Sequence, residues 1–326
     1  MKIAILDDYQ DAVRQLACFE MLQGHEVKIF NSSAVGIGQL AIRLAPFDAL
    51  VLIRERTVLT AALLKKLPNL KLISQTGKVA GHIAIEAASE CGISIAEGIG
   101  SPTAPAELTW ALIMAASRKI IPYSTNLKDG LWQMSSIHPE KNRLGRVLKG
   151  RSLGIWGYGK IGKIIAAYAK VFGMQVVVWG SETSRHQAVQ DGYQAALTKE
   201  TFFSLNDVIS IHLRLNDATR AIVTATDLAL MKTDALFVNT SRAELVENGA
   251  LEIALNLGRP GFAALDVFEN EPLAVKNALL SMENVLTTPH LGYVEQDSYE
   301  IYFRAAFQNI LDFASGSPKN ILNLKH

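Results

Sequence analysis

Ser152-Leu153-Gly154-Ile155-Trp156-Gly157-Tyr158-Gly159-Lys160-Ile161-Gly162 is the stretch that decides the fold. Its first five residues form a short apolar run of strand character, and the next six follow a G-x-G-x-x-G spacing. Beyond them Ile161, Ile164, Ile165, Tyr168 and Phe172 recur at the interval of one helical face. A glycine turn alone arises readily from backbone demands. Between a strand and an amphipathic helix it reads as a phosphate cradle. Gly157 permits the tight turn, Gly159 lets the main chain approach a pyrophosphate, and Gly162 lets helix and strand pack closely. The helix start then offers free N–H groups and a positive dipole end to the phosphates. Tyr158, Lys160 and Ile161 belong to the same expected cofactor-binding turn, with the Lys160 side chain itself a solvated charge.

Outward from this turn, short β-branched runs alternate with helix-like stretches, the pattern of parallel sheets covered on both faces. One series comprises Lys2–Leu6, Ala49–Ile53, Leu72–Ser74 and Ser94–Ala96. The other comprises Ser152–Trp156, Gln175–Val178, Val208–Ile211, Leu236–Asn239, Phe262–Leu265 and Val285–Thr287. Two sheets, hence two α/β domains, are predicted for 326 residues. A helix over Ala104–Ser117, opened by Ser101-Pro102-Thr103, separates the series. The polar, irregular Leu127–Lys149 stretch reads as a surface excursion suited to homodimer contacts.

Composition narrows the function classes. Apolar residues make up 49% and charged residues 19%, which suits a packed globular protein. A formal charge of +1 without a basic block argues against nucleic acid. Two cysteines, Cys18 and Cys91, are too few for a disulfide framework or a thiolate metal cluster, so no metal is expected. The N-terminus lacks a signal-peptide pattern and no apolar run reaches membrane-spanning length, which makes the cytoplasm the expected location.

Three further segments fall at strand ends of the second series, where open α/β sheets bind ligands. They are Asn239-Thr240-Ser241-Arg242, Leu265-Asp266 through Glu271-Pro272, and Thr288-Pro289-His290-Leu291-Gly292. Singly, Arg242 reads as a helix cap, Glu271 as a solvated acid and His290 as a satisfied loop histidine. Together they supply what hydride transfer at a carbinol needs. The imidazole moves the hydroxyl proton, the carboxylate holds the ring and favours its charged form, and the guanidinium grips a substrate carboxylate.

In order and spacing, these segments with Gly157–Gly162 resemble the signatures of the D-2-hydroxyacid dehydrogenase family, which includes phosphoglycerate dehydrogenases and glyoxylate/hydroxypyruvate reductases. Arg54-Glu55-Arg56-Thr57, Thr76–Gly81 and Gly316–Leu322 extend the likeness over nearly the whole chain. The resemblance implies two Rossmann-like domains with parallel sheets. The substrate domain is built from residues 1–100 and 292–326, the dinucleotide-binding domain is 101–291, and substrate sits in the cleft between them. It further implies Arg242 as substrate binder, Glu271 as support for the acid/base His290, and Asp266, His212 and Thr240 as cofactor-side residues. Main-chain N–H groups of Thr76, Gly77, Lys78 and Val79 hold the substrate carboxylate. The expected substrate is a small 2-keto or 2-hydroxy acid; Arg54, Arg56 and Lys78 form a cationic pocket if that substrate has an anionic tail.

This sequence departs from the family pattern in several places. Val79 and Ala80 occupy places where another glycine is frequent, Ala84 one where aspartate is common, Arg214 one where proline is usual, and Glu247 replaces aspartate. Where an acid usually follows the Gln175–Val178 strand to bind the adenosine ribose, Trp179-Gly180-Ser181-Glu182-Thr183-Ser184-Arg185 stands instead. Gly180 takes the acid's place; Ser181, Ser184 and Arg185 suit a 2′-phosphate and favour NADP over NAD, whereas Glu182 would repel that phosphate if it turned inward. The end of the chain at His326 is read as disfavouring a phosphoglycerate dehydrogenase with an added regulatory domain. The rival from another class is a non-catalytic, NAD(P)(H)-sensing interaction protein of the same fold; a second is a formate- or phosphite-oxidising offshoot.

Overall fold

The computed structural model describes residues 1–34 and 36–323. Residues 324–326, the last three of the expected substrate domain, lie outside that range. The chain forms two compact units, one from Met1–Ser101 with Val294–His326 and the other from Pro102–Tyr293.

The first unit holds a five-stranded sheet in the order β2-β1-β3-β4-β5, parallel throughout. Its strands are β1 (Lys2–Ile5), β2 (Glu26–Ile29), β3 (Ala49–Leu52), β4 (Leu72–Gln75) and β5 (Ser94–Ala96). β3 and β4 are buried along their whole length, as strands covered on both faces must be. The chain returns to this unit in the helix Gln296–Ala314. Tyr299, Tyr302, Phe303, Ala306, Phe307 and Ile310 form its buried stripe, and Glu295 caps it by accepting from the N–H groups of Asp297 and Ser298. Ser74 Oγ of β4 donates to the Ala306 carbonyl at 2.8 Å, fixing helix against sheet.

The second unit holds a seven-stranded parallel sheet in the order β12-β11-β10-β9-β6-β7-β8. Its strands are β6 (Ser152–Trp156), β7 (Gln175–Trp179), β8 (Gln194–Ala195), β9 (Val208–Ile211), β10 (Leu236–Asn239), β11 (Phe262–Leu265) and β12 (Val285–Thr287). Side chains alternate across the pleat into two cores. Leu153, Ile155, Leu236 and Val238 enter one, and Trp156, Ile209, Ile211 and Phe237 enter the other. The helix Lys160–Val171 covers the first core through Gly162, Ile165, Ala166 and Ala169, an i, i+3, i+4, i+7 stripe. The predicted helix between the series spans Thr103–Arg118 and ends on Lys119 in the left-handed region at φ 52°.

β2 and β8 are absent from the sequence-based reading. Both are edge strands. β2 alternates exposed and half-buried residues up to Ile29, and β8 is only two residues long, so neither shows a continuous apolar run.

Candidate active site

The order of the seven-stranded sheet reverses direction between β6 and β9, so the loops leaving their C-terminal ends diverge and open a crevice. Gly157 leaves β6 at φ 103°, and a Cβ there would lie 2.4 Å from the His212 carbonyl oxygen at the end of β9. A Cβ on Gly162 would lie 2.2 Å from the Gly157 carbonyl oxygen, so this position sets how closely helix and strand pack. Gly159, the helix N-cap, is different: a Cβ there would meet nothing within 4 Å. It faces the open space above the helix start. Gly159 has no side chain with which to cap that helix, which leaves its first N–H groups to a ligand.

This cradle fits a dinucleotide. The Nδ1 of His212 is buried at the crevice floor without a hydrogen-bond partner, while Nε2 lies 2.8 Å from Ser210 Oγ, and burial lowers the imidazole pKa. The expected cofactor residues divide by role. Tyr158 turns into the core, where its hydroxyl donates to Asp191 at 2.8 Å, so only its main chain belongs to the cradle. Lys160 is exposed, and Ile161 packs on the core.

At the end of β7, Ser181 caps the Glu182–Gln190 helix by accepting from Ser184 N–H. The Arg185 guanidinium lies 4.9 Å from the Trp179 ring centroid, and its Nε is buried without a partner. Glu182 is exposed in the first turn.

The three chemically active side chains come from the ends of β10, β11 and β12. His290 Nδ1 and Glu271 Oε2 are 2.6 Å apart. Burial raises the Glu271 pKa. The hydrogen bond and charge of His290, the Phe268 N–H and the Arg242 charge outweigh it and hold the carboxyl below its usual range. Glu271 is therefore ionised at neutral pH. Arg242 stands close enough to act on it electrostatically and donates to the Ser241 carbonyl at 2.6 Å. Its turn is held by buried Asn239, whose amide donates to the Arg242 carbonyl at 2.8 Å and whose Oδ1 accepts from Ser241 N–H.

Asp266, a cofactor-side residue by the resemblance, directly follows β11. It is fully buried and accepts from Thr288 Oγ1 at 2.6 Å and from the N–H groups of Leu291 and Gly292 at 2.7 and 2.9 Å. Burial raises its pKa and these bonds partly offset the rise. Its carboxylate ties β11 to the turn that carries His290 at φ 54°. Thr240 shares its hydroxyl with Thr109 of the Thr103–Arg118 helix at 2.7 Å. Sequence reading did not find Thr109, Asn239 or Thr288 in these supporting positions.

In the first unit, Thr76 Oγ1 accepts from Arg54 N–H and donates to the Leu52 carbonyl. Gly77 sits at φ 114°, and a Cβ there would collide with the Arg54 guanidinium, so glycine gives that side chain its room. Arg56 is structural. It donates to the Asp7 carbonyl and to Tyr299, and lies 4.9 Å from the Tyr9 ring. Lys78 pairs with Glu97 at 2.6 Å, and Val79 N–H donates to the same carboxylate at 2.8 Å. All three members of the expected cationic pocket are thus engaged by the protein itself, Arg54 Nε lying 4.0 Å from Glu55 Oε2.

Among the described residues no helix is long and apolar enough to cross a membrane. Residues 110–292 match the family model for the D-isomer specific 2-hydroxyacid dehydrogenase NAD binding domain. A glyoxylate reductase from Aeropyrum pernix is 36% identical over 265 residues, 80% of this chain and 78% of that protein. A crystal structure of a phosphoglycerate oxidoreductase from Vibrio cholerae O395 is 58% identical with a TM-score of 0.94, covering 97% of this chain and 99% of that one. An oxidoreductase structure from Ralstonia solanacearum is 57% identical with a TM-score of 0.96, covering 99% and 97%. A chain with this crevice, this doubly wound sheet and these relatives belongs to the D-isomer-specific 2-hydroxyacid dehydrogenase family of NAD-binding oxidoreductases.

Proposed function

We propose that the protein interconverts a small 2-keto acid and the corresponding D-2-hydroxy acid, with His290 as general acid/base. The observation that carries this reading is the 2.6 Å contact of His290 Nδ1 with ionised Glu271, beside Arg242. A bound nicotinamide supplies or accepts the hydride. In reduction, Arg242 holds the substrate carboxylate in its planar fork, and His290 delivers a proton from Nε2 to the carbonyl oxygen. Glu271 fixes the ring so that Nε2 faces the substrate and stabilises the imidazolium. Asp266 and Asn239 keep the two turns at their working positions. Consumption of NAD(P)H with glyoxylate, hydroxypyruvate, pyruvate or 3-phosphohydroxypyruvate tests the reading. Cofactor binding without turnover on any of them would favour the sensor instead.

For the cofactor, the Ser181–Arg185 helix start supports NADP(H), because two hydroxyls and a guanidinium stacked on Trp179 stand where an acid would bind a free ribose. Arg185→Ala should raise KM for NADPH by roughly tenfold or more and leave NADH kinetics nearly unchanged, loss of one charge-assisted bond being of that size. Much higher kcat/KM with NADH, together with unaltered NADPH kinetics in the variant, rejects the preference.

For the substrate, the relatives point two ways, to glyoxylate and to phosphoglycerate. Arg54 is the cation whose guanidinium Gly77 makes room for beside the Thr76–Val79 loop. If the natural substrate has an anionic tail, Arg54→Ala should raise KM for 3-phosphohydroxypyruvate far more than for glyoxylate. Equal losses on both would remove Arg54 from tail recognition. A second copy of the chain is proposed to cover Ile120, Ile121, Leu127, Trp132 and Ile137, large apolar side chains left exposed along the helix Ile120–Lys128 and the excursion after it.

A further inference from the structure

The seven-stranded sheet has a second charged feature, at the edge opposite the crevice. There the N-terminal residues of β9, β10 and β11 (Val208, Leu236 and Phe262) floor a cleft with a cavity volume of about 90 Å³. Its walls carry four cations, Lys119, Arg143, Arg146 and Arg151, against two carboxylates, Asp207 and Asp234.

The charges do not cancel. Arg146 pairs with Asp234. Asp207 pairs with Arg151 at 3.7 Å and with Lys232 at 2.9 Å, and it also accepts from Ser152 N–H. Among the described residues neither Lys119 nor Arg143 forms an ion pair. The acid that acts on Lys119 from nearby, Glu283, is already engaged by Ser136 and Lys141.

Lys119 is held at its side chain and Arg143 at its main chain. Lys119 is the left-handed residue closing the Thr103–Arg118 helix, and its ammonium lies 4.5 Å from the Phe262 ring centroid. Burial above all, with the like charges of Arg143 and Arg146 and against the pull of Glu283, lowers its pKa. Arg143 is anchored through its main chain, its N–H and carbonyl both bonded to Ser135 Oγ. The following turn is pressed onto the helix end, where Arg146 N–H donates to the Ser117 carbonyl at 2.7 Å and a Cβ on Gly145 would lie 2.9 Å from Arg118 Cα.

We propose that this cleft binds a small tetrahedral oxyanion, inorganic phosphate or the phosphate of a monoester, gripped by Lys119 and Arg143 with Arg146 and Arg151 at its rim. The site is separate from the crevice. The sheet's strands run parallel, so cleft and crevice lie at opposite ends of strands four residues long, about 13 Å at a rise of ~3.3 Å per residue.

The test is calorimetric titration of the NADPH-saturated protein with inorganic phosphate and with glycerol phosphate, in chloride buffer of constant ionic strength. NADPH keeps the probes out of the glycine cradle and off the Ser181–Arg185 turn. One site per chain is expected, retained in Arg54→Gln and Arg242→Gln. Its Kd should weaken by roughly 10- to 100-fold in Lys119→Gln and in Arg143→Gln, each of which removes a charged donor. Far-UV circular dichroism establishes that these two variants are folded, and their keto-acid turnover without phosphate should match wild type. Tighter binding of the monoester identifies an esterified ligand, and equal binding identifies free phosphate. Absence of any site beyond those lost in Arg54→Gln or Arg242→Gln overturns the proposal. So does unchanged affinity in both Lys119→Gln and Arg143→Gln.

Discussion

His290→Gln should lower kcat for 2-keto-acid reduction by ~10²–10⁴-fold, the usual worth of a positioned general acid, while NAD(P)H affinity stays within a few-fold of wild type. Glutamine preserves a polar side chain of similar reach but cannot deliver a proton to the nascent alkoxide. The Glu271 contact at Nδ1 leaves Nε2 as the ring atom available to substrate, so the loss falls on chemistry and not on the fold. Cofactor affinity is spared because the glycine cradle lies at the end of β6 and not on the β12 turn. Fluorescence titration with NADPH and steady-state reduction of hydroxypyruvate separate the two quantities. Near-normal turnover would remove the histidine from the mechanism.

A matched pair of glycine substitutions should divide cofactor binding from packing. In Gly162→Ala the new methyl lands 2.2 Å from a main-chain oxygen, so the Lys160–Val171 helix must retreat from β6. Overpacking of this kind costs about 1–3 kcal/mol, and Tm should fall together with dinucleotide affinity. In Gly159→Ala the methyl meets no protein atom within 4 Å, so Tm should hold. The same methyl occupies space meant for the pyrophosphate, and Kd for NADH should rise by roughly tenfold or more, the equivalent of ~1.4 kcal/mol. Thermal melts and NADH titrations of both variants read the contrast. Unchanged NADH affinity in Gly159→Ala would move the phosphates elsewhere.

Much of the fold was legible because its central strands are buried on both faces. Val208–Ile211 and Leu236–Asn239 are apolar enough to declare themselves without partners. The edge strands Glu26–Ile29 and Gln194–Ala195 were not, since half of an edge faces water and its sequence looks like a loop. His290, Glu271 and Arg242 could be read because each combines a chemically apt side chain with a strand end. What stayed hidden depends on contacts between residues distant in sequence. The Thr109–Thr240 hydroxyl pair spans 131 positions, and nothing in either neighbourhood announces it. Lys78 looks like a pocket cation until Glu97, 19 residues on, is found holding it. The three hydrogen bonds that tie Asp266 to the histidine turn reach residues 22, 25 and 26 positions on, and no local pattern announces them.

The coupling of His290 to Glu271 is the centre of the account, and the pH dependence of kcat for reduction in Glu271→Gln measures it most directly. In wild type Glu271, despite its burial, is held below the usual carboxylate range by its bond to His290, and in the proposed mechanism it stabilises the imidazolium that donates the proton. Removing its charge disfavours the protonated ring, so the donor is lost at lower pH as alkali is added. The alkaline limb should therefore move toward acid pH. An unmoved limb, or one displaced toward alkaline pH, would contradict the coupling.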